Sequence, residues 1–221
     1  DRSGFDRAVA VANQAEVAVL VLGESRDMSG EAHCRSDITL PGAQQELLDA
    51  VAATGTPVVS VILSGRPLDL TAVASASNAL VQAWHLGSRS GTAIAEVLLG
   101  RVEPAGRLTV SFPRCVGQIP VYYAHKNTGR PAAGEGTSQF EEPFKSRYLD
   151  VENAPLYPFG YGLGYTTFAY SDLAIAPAVA DPDGAIQASV EVTNTGTRPG
   201  TETVQLYVRD RVASVTRPVK E

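Results

Sequence analysis

The run VAVLVLGESRDMSGEAHCRSDITLPGAQQELLDAVAATGTPVVSVILSG, residues 17–65, decides the fold. VAVLVLG (17–23) is apolar at every position up to its glycine, the pattern of a parallel strand buried on both faces. PGAQQELLDAVAATG (41–55) starts on a proline, carries Leu47, Leu48 and Val51 on one helical stripe, and ends on Gly55. PVVSVILSG (57–65) is a second buried strand. Between the first strand and the helix sits a polar stretch, residues 23–41, with Glu24, Asp27, Glu31 and Asp37 beside Arg26, Arg35, His33 and Cys34. Two readings of it compete at this point: a loop that carries a catalytic carboxylate, or a solvated surface loop.

Outward from this run the alternation continues. Phe5, Ala8, Val9, Ala12 and Ala15 fall at helical spacing over 5–15, LDLTAVASAS (68–77) reads as a short helix, ALVQAW (79–84) as a third strand, and GTAIAEVLLG (91–100) as a helix closed by glycine. Strands alternating with helices predict an α/β domain, a mostly parallel sheet sandwiched by helices. The pattern breaks near residue 105. Residues 113–165 hold Pro, Gly, Tyr and charges without a sustained period, and AAGEGTSQFEEPF (132–144) reads as a mobile surface loop. From Phe168 the text turns to strands: DLAIAP, AIQASVEVTN and TETVQLYVRD, with Ala188, Val190 and Val192, then Val204, Leu206 and Val208, in period-two alternation. Three strands make only the start of a β-sandwich, so the chain reads as an internal piece of a longer polypeptide.

The 221 residues are 44% hydrophobic and 19% charged, which is enough apolar material for a core, and the formal net charge is −6. Without a Lys/Arg cluster this excludes nucleic acid and anionic membranes as natural partners. No apolar run reaches roughly 18 residues, so no spanning segment is expected. Cys34 and Cys115 either pair in an oxidising compartment or remain two free thiols; their spacing excludes a local zinc site. Gly160, Gly162 and Gly164 of GYGLGY lack the strand-before, helix-after context of a dinucleotide loop, so they read as turn and packing glycines, as does GRP at 65–67.

Several blocks in fixed order, GEAHCRSDITLPGAQQELLDAV, VILSGRPLDL, AWHLGSRSGTAIAEVLLGRVEPAGRLTVSFPRCVGQIPVYY, NTGRP and LYPFGYGLGYTTFAYSDL, closely resemble glycoside hydrolase family 3, above all its periplasmic β-glucosidase branch in Gram-negative bacteria. The resemblance runs almost end to end and is weakest over 132–146. It implies residues 1–112 as the later part of an α/β sandwich domain, 113–167 as a wrapping interdomain linker, and 168–221 as the first strands of an all-β fibronectin type III-like domain. The barrel that precedes these in the family is absent from this chain. The implied activity is exo-acting, retaining hydrolysis of β-linked glucosides or oligosaccharides, in the periplasm or outside the cell, with no metal and no organic cofactor.

Retaining glycosidases use two carboxyl groups about 5–5.5 Å apart. In the family the nucleophile is an Asp on the barrel and the acid/base a Glu on a loop of the second domain; the matching block here is SGE, which implies Glu31. Such a donor suits a loop at the C-terminal end of a strand, because it must reach a sugar held by another domain. Gly30 frees the backbone beside it. The other loop carboxylates receive other roles: Glu24 as a structural or supporting group, Asp27 as solvated, and Asp37 as a brace that accepts backbone N–H bonds. Arg35 is a candidate substrate contact, against a surface ion pair. His33 with Ser29, Ser36 and Asp37 does not make a triad, since no G-x-S-x-G elbow is present. Trp84 reads as core rather than as a sugar platform. Tyr122, Tyr123, His125, Lys126 and Arg130 read as a structural bridge, with outer sugar subsites as the alternative. Two rival function classes remain beside the glycosidase: a non-catalytic carbohydrate-binding or scaffold module, and a nucleotide-binding α/β domain, disfavoured for want of a phosphate-cradling loop.

Overall fold

The computed structural model describes residues 1–125, 129–131, 143–208 and 219–220. Three parallel strands form the central sheet in the order β1-β2-β3: β1 Ala18–Gly23, β2 Val58–Leu63 and β3 Ala79–Gln82. β1 runs in register with β2 from Ala18 opposite Val58 to Gly23 opposite Leu63, and β2 pairs β3 from Val59 opposite Ala79. Helices separate them in sequence: α1 Phe5–Ala12, α2 Gln44–Ala52 and α3 Thr71–Ala76, followed by α4 Ser90–Leu98. This is the parallel α/β architecture that the alternation of periods predicts.

The core lies on the face where α2 meets the sheet. Leu48 and Val51 of α2, Val73 of α3, Ala12 of α1, and Leu22, Val58 and Ile62 of the strands are all buried in one cluster with Leu68, Leu70 and Phe112. β2, flanked on both sides, is buried along most of its length. β1 differs from the expectation of burial on both faces. Its inward residues Ala18, Leu20 and Leu22 pack on the core, but Val19 and Val21 are 50% and 56% exposed. A continuous apolar run says that both faces avoid water, but not what covers each of them. β1 is one of the two edge strands here, and no described element covers its outer face.

The edge of β1 is closed at its end by a side chain. Gln44 Oε1 accepts from Gly23 N at 2.7 Å, and Gln44 Nε2 donates to Gly23 O at 2.8 Å. The carboxamide thus pairs with the N–H and C=O of the last residue of β1 as a neighbouring strand would. Gly23 itself, at φ +134, admits no side chain, because a Cβ would fall 1.9 Å from Leu63 O. That close approach lets Glu24 N donate to Leu63 O at 2.8 Å and aims the Glu24 side chain inward.

Beyond α4 the chain is irregular but knitted. Phe112 pairs with Tyr157, and Leu108 N donates to Tyr161 O at 2.8 Å. Gln118, buried, accepts from Arg114 N and donates through Nε2 to the carbonyls of Glu152, Asn153 and Ala154. An antiparallel pair follows, β4 Phe168–Ala176 with β5 Gln187–Asn194, and then β6 Tyr207–Val208 with β7 Val219–Lys220. The third strand expected over TETVQLYVRD is only Tyr207–Val208 within the described residues, and Val204, Leu206 and Val208, expected along one half-buried face, are all exposed. The loop expected over 132–144 lies outside the described residues up to position 142, as does Lys126. Among the described residues, no helix is long and apolar enough to cross a membrane.

Candidate functional site at the C-terminal ends of the strands

The polar stretch after β1 forms an arm that leaves the sheet at Glu24 and returns at Ile38. Its return is anchored by apolar burial, with Ile38 and Leu40 in the core and Asp69 N donating to Ile38 O at 2.9 Å. Asp37 braces the same end, accepting from Thr39 N at 2.9 Å and Thr39 Oγ1 at 2.7 Å. These bonds hold the Asp37 carboxyl below its ordinary range. The arm therefore hangs from two fixed points with a polar middle between them.

At the root of the arm lies an ionic cluster. The Glu24 side chain is fully buried, with Arg35 Nη1 and Arg66 Nε both 2.9 Å from Oε1. Gly65 N approaches Oε2 at 3.3 Å. Burial pushes the Glu24 carboxyl up. The hydrogen bond from Arg35, the contact and charge of Arg66, and the Gly65 N–H outweigh that push, so Glu24 stays ionised below its ordinary range. The two guanidinium groups reach onward to backbone. Arg35 Nη2 donates to Thr39 O at 3.1 Å, while Arg66 Nη2 donates to His33 O at 2.8 Å and to Met28 O.

Glu31 stands at the tip of the arm, exposed, and makes no hydrogen bond or ion pair with any described residue. The turn that presents it is built on two left-handed residues, Gly30 at φ +121 and Ala32 at φ +63. His33 N closes it by donating to Gly30 O at 3.2 Å. Ser29 packs over the end of β2, where Gly65 is required: a Cβ there would fall 1.8 Å from Ser29 Oγ and 3.2 Å from His85 Nε2. Ser29, Gly65 and His85 follow β1, β2 and β3 in turn, so the three strand ends converge beside the arm. An open cleft of about 600 Å³ runs along it, lined by Met28, His33, Arg35, Asp37 and Leu40 among others.

The remaining sequence candidates fall into place. Arg35 lines this cleft and holds Glu24 through Nη1. Asp27 is exposed. His33 Nδ1 meets the backbone O of Ser29 at 3.3 Å, not a hydroxyl. Trp84 is half-buried against the core, 5.7 Å from the Phe112 ring. Tyr123 stacks on Phe159 at 4.3 Å and meets Tyr207 edge-on at 6.1 Å, a bridge between the irregular segment and the last strands. Cys34 and Cys115 are both free thiols. Sequence reasoning missed the role of Arg66, which it took as part of a turn. The available signal was a cation three residues after a strand end, near an acidic residue directly after the neighbouring parallel strand.

Comparison with known proteins gives these features a context. Residues 2–165 match the model of the glycosyl hydrolase family 3 C-terminal domain. The chain is 50% identical over 217 residues to a periplasmic β-glucosidase of Salmonella typhimurium, covering 98% of this chain and 28% of that protein. It is 42% identical over 219 residues to a β-xylosidase of Formosa agariphila, covering 99% of this chain and 29% of that protein. Among solved structures, a β-glucosidase from Listeria innocua in complex with gluconolactone superposes with a TM-score of 0.91 at 38% identity, covering all of this chain and 30% of that one. The chain thus spans less than a third of the length of these relatives.

Proposed function

The chain belongs to glycosyl hydrolase family 3, and from that membership we propose that it is the C-terminal part of a retaining, exo-acting β-glucosidase in which Glu31 is the general acid/base. In this reading 1–112 is the α/β sandwich part, 113–167 the wrapping linker and 168–221 the opening of a fibronectin type III-like module. The whole protein works in the periplasm or outside the cell, as the name of the Salmonella relative suggests. The substrate is a terminal β-glucoside, in keeping with relatives named β-glucosidases and with a Listeria structure that holds gluconolactone; a β-xyloside is the competing substrate, after the Formosa relative.

The observation that carries the proposal is the state of Glu31: an exposed carboxyl at the tip of an anchored arm, beside three convergent strand ends, while the other acid buried in the same loop is consumed by two arginines. A carboxyl free of partners can take and release a proton, whereas Glu24 is fixed in its charged form. In the first step Glu31 gives its proton to the departing glycosidic oxygen as the nucleophile, on a part of the polypeptide outside this chain, bonds to the anomeric carbon. In the second it takes a proton from the water that displaces the nucleophile. Arg35, at the cleft wall, offers a guanidinium edge to sugar hydroxyls.

The test uses the full-length protein. Glu31→Ala lowers kcat/KM for a disaccharide by about 10²–10⁴-fold and leaves kcat/KM for a 2,4-dinitrophenyl glucoside nearly unchanged, because that leaving group needs no proton. Azide restores turnover of the activated substrate. Unchanged turnover of the disaccharide would reject the assignment.

A further inference from the structure

We propose that Arg66 is a positioning residue for Glu31: it closes the arm at both ends of the turn and so holds the carboxyl at its working place. The proposal rests on the reading of Glu31 as the acid/base. Two carbonyls flank the Glu31 turn, Met28 O before it and His33 O after it, and both accept from the same nitrogen, Arg66 Nη2. The five residues that carry the tip are thereby cinched into a loop at its neck. Other bonds across the turn, His33 N to Gly30 O and His33 Nδ1 with Ser29 O, lie within it and do not fix it to the sheet.

Arg66 can act as this clasp because it is itself fixed. It follows β2 by three residues, and its Nε sits 2.9 Å from the fully buried Glu24 carboxylate, which follows β1 directly. Both ends of the linkage therefore start from the central sheet. A guanidinium is planar and presents several N–H groups in a fixed fork, so one edge can face Glu24 while the other faces the arm. A lysine ammonium gathers its donors on one nitrogen and lacks that fork. The turn also needs holding from outside, since Ala32 sits at φ +63, a left-handed conformation that is strained for a non-glycine residue.

Misplacing a catalytic group by about 1 Å can cost on the order of 10²-fold, and a misplaced acid has a recognisable signature. It slows only those substrates whose leaving group needs the proton. The experiment compares Arg66→Lys, Arg66→Ala and Glu31→Gln in the full-length protein, with laminaribiose and 2,4-dinitrophenyl β-glucoside as substrates. Arg66→Lys keeps a cation beside Glu24 and so guards against loss of the fold; thermal unfolding is followed in parallel. The expected result is a fall in kcat/KM for laminaribiose of about 10–100-fold, less than about threefold for the dinitrophenyl glucoside, and an azide-dependent rise in kcat for the latter, all weaker than in Glu31→Gln. An equal loss on both substrates, no loss on either, or failure of both Arg66 variants to fold would make Arg66 a packing residue and overturn the proposal. If Glu31→Gln itself lacks the selective signature, it is the acid/base reading that fails, separately from the clasp.

Discussion

Glu24 and Glu31 show how environment divides work between identical side chains a few positions apart. Glu24 follows a glycine whose φ of +134 turns the chain so that the next side chain enters the interior, where two arginines meet it. Glu31 follows another left-handed glycine and is turned outward. Gly23→Ala forces a Cβ to within 1.9 Å of a backbone carbonyl, so it should destabilise the fold by several times the usual cost of about 1 kcal/mol for a point substitution, as read from denaturant midpoints. Removing the buried charge, as in Glu24→Ala, should cost about 3–5 kcal/mol by stranding its cations. The same carboxylate sets an acid limit. Its folded pKa is depressed below the ordinary 4.5, so its contribution to stability is complete above that value and is lost as pH falls through the folded pKa. Urea midpoints measured between pH 7 and pH 3 should therefore drop below about pH 4.5, and drop less in Glu24→Gln, which has no such proton to take up. The sequence assigned these two acids to different tasks only because a family block pointed at SGE. Nothing in the spacing said that Arg66, on the far side of a helix and a strand, would reach back to both carbonyls of the Glu31 turn.

At the level of elements, the periodic segments were the readable ones. α2 shows why: its stripe of Leu47, Leu48 and Val51 meets the core, and Leu48 and Val51 are buried. Leu48→Ala should lower stability by about 2–5 kcal/mol, whereas Leu99→Ala, at a side chain 66% exposed beyond α4, should change it by less than about 0.5 kcal/mol. Thermal or denaturant unfolding of the two variants separates these cases. What the pattern could not convey was sidedness. β1 and β2 are equally apolar in sequence, yet β2 is enclosed and β1 presents Val19 and Val21 outward. Composition records how much of a strand avoids water in the complete fold, and not which neighbour provides the cover.

Across the whole molecule, the β segment is tied to the sheet domain by specific bonds rather than by a shared core. Arg107 pairs with Glu202 at 2.9 Å, Arg198 Nη2 donates to Gly100 O at 2.6 Å, and Tyr165 OH donates to Val97 O at 2.6 Å. Tyr170 OH donates to Glu202 as well, which raises the Tyr170 pKa above its ordinary value. GYGLGY runs through this junction. A Cβ on Gly162 would meet Gly106 O at 2.7 Å, a backbone atom that cannot move aside, whereas one on Gly164 would meet Glu103 Oε1, the end of a flexible side chain. Gly162→Ala should therefore lower the unfolding midpoint more than Gly164→Ala. Residues 1–221 expressed by themselves should turn over no glucoside, with activity returning when the remainder of the polypeptide is supplied; turnover by the isolated segment would contradict the proposed location of the nucleophile.

That junction also bears on recombination between relatives. Gly160 leaves room for Gln205 and Tyr207, and Gly200 for Thr166 and Glu103, so each side of the seam is carved to the other's side chains. Chimeras whose crossover falls between 167 and 200 would inherit mismatched halves, while exchanges that carry 100–208 as a block would keep matched surfaces together. Libraries built by gene shuffling should show their surviving breakpoints clustered outside that window.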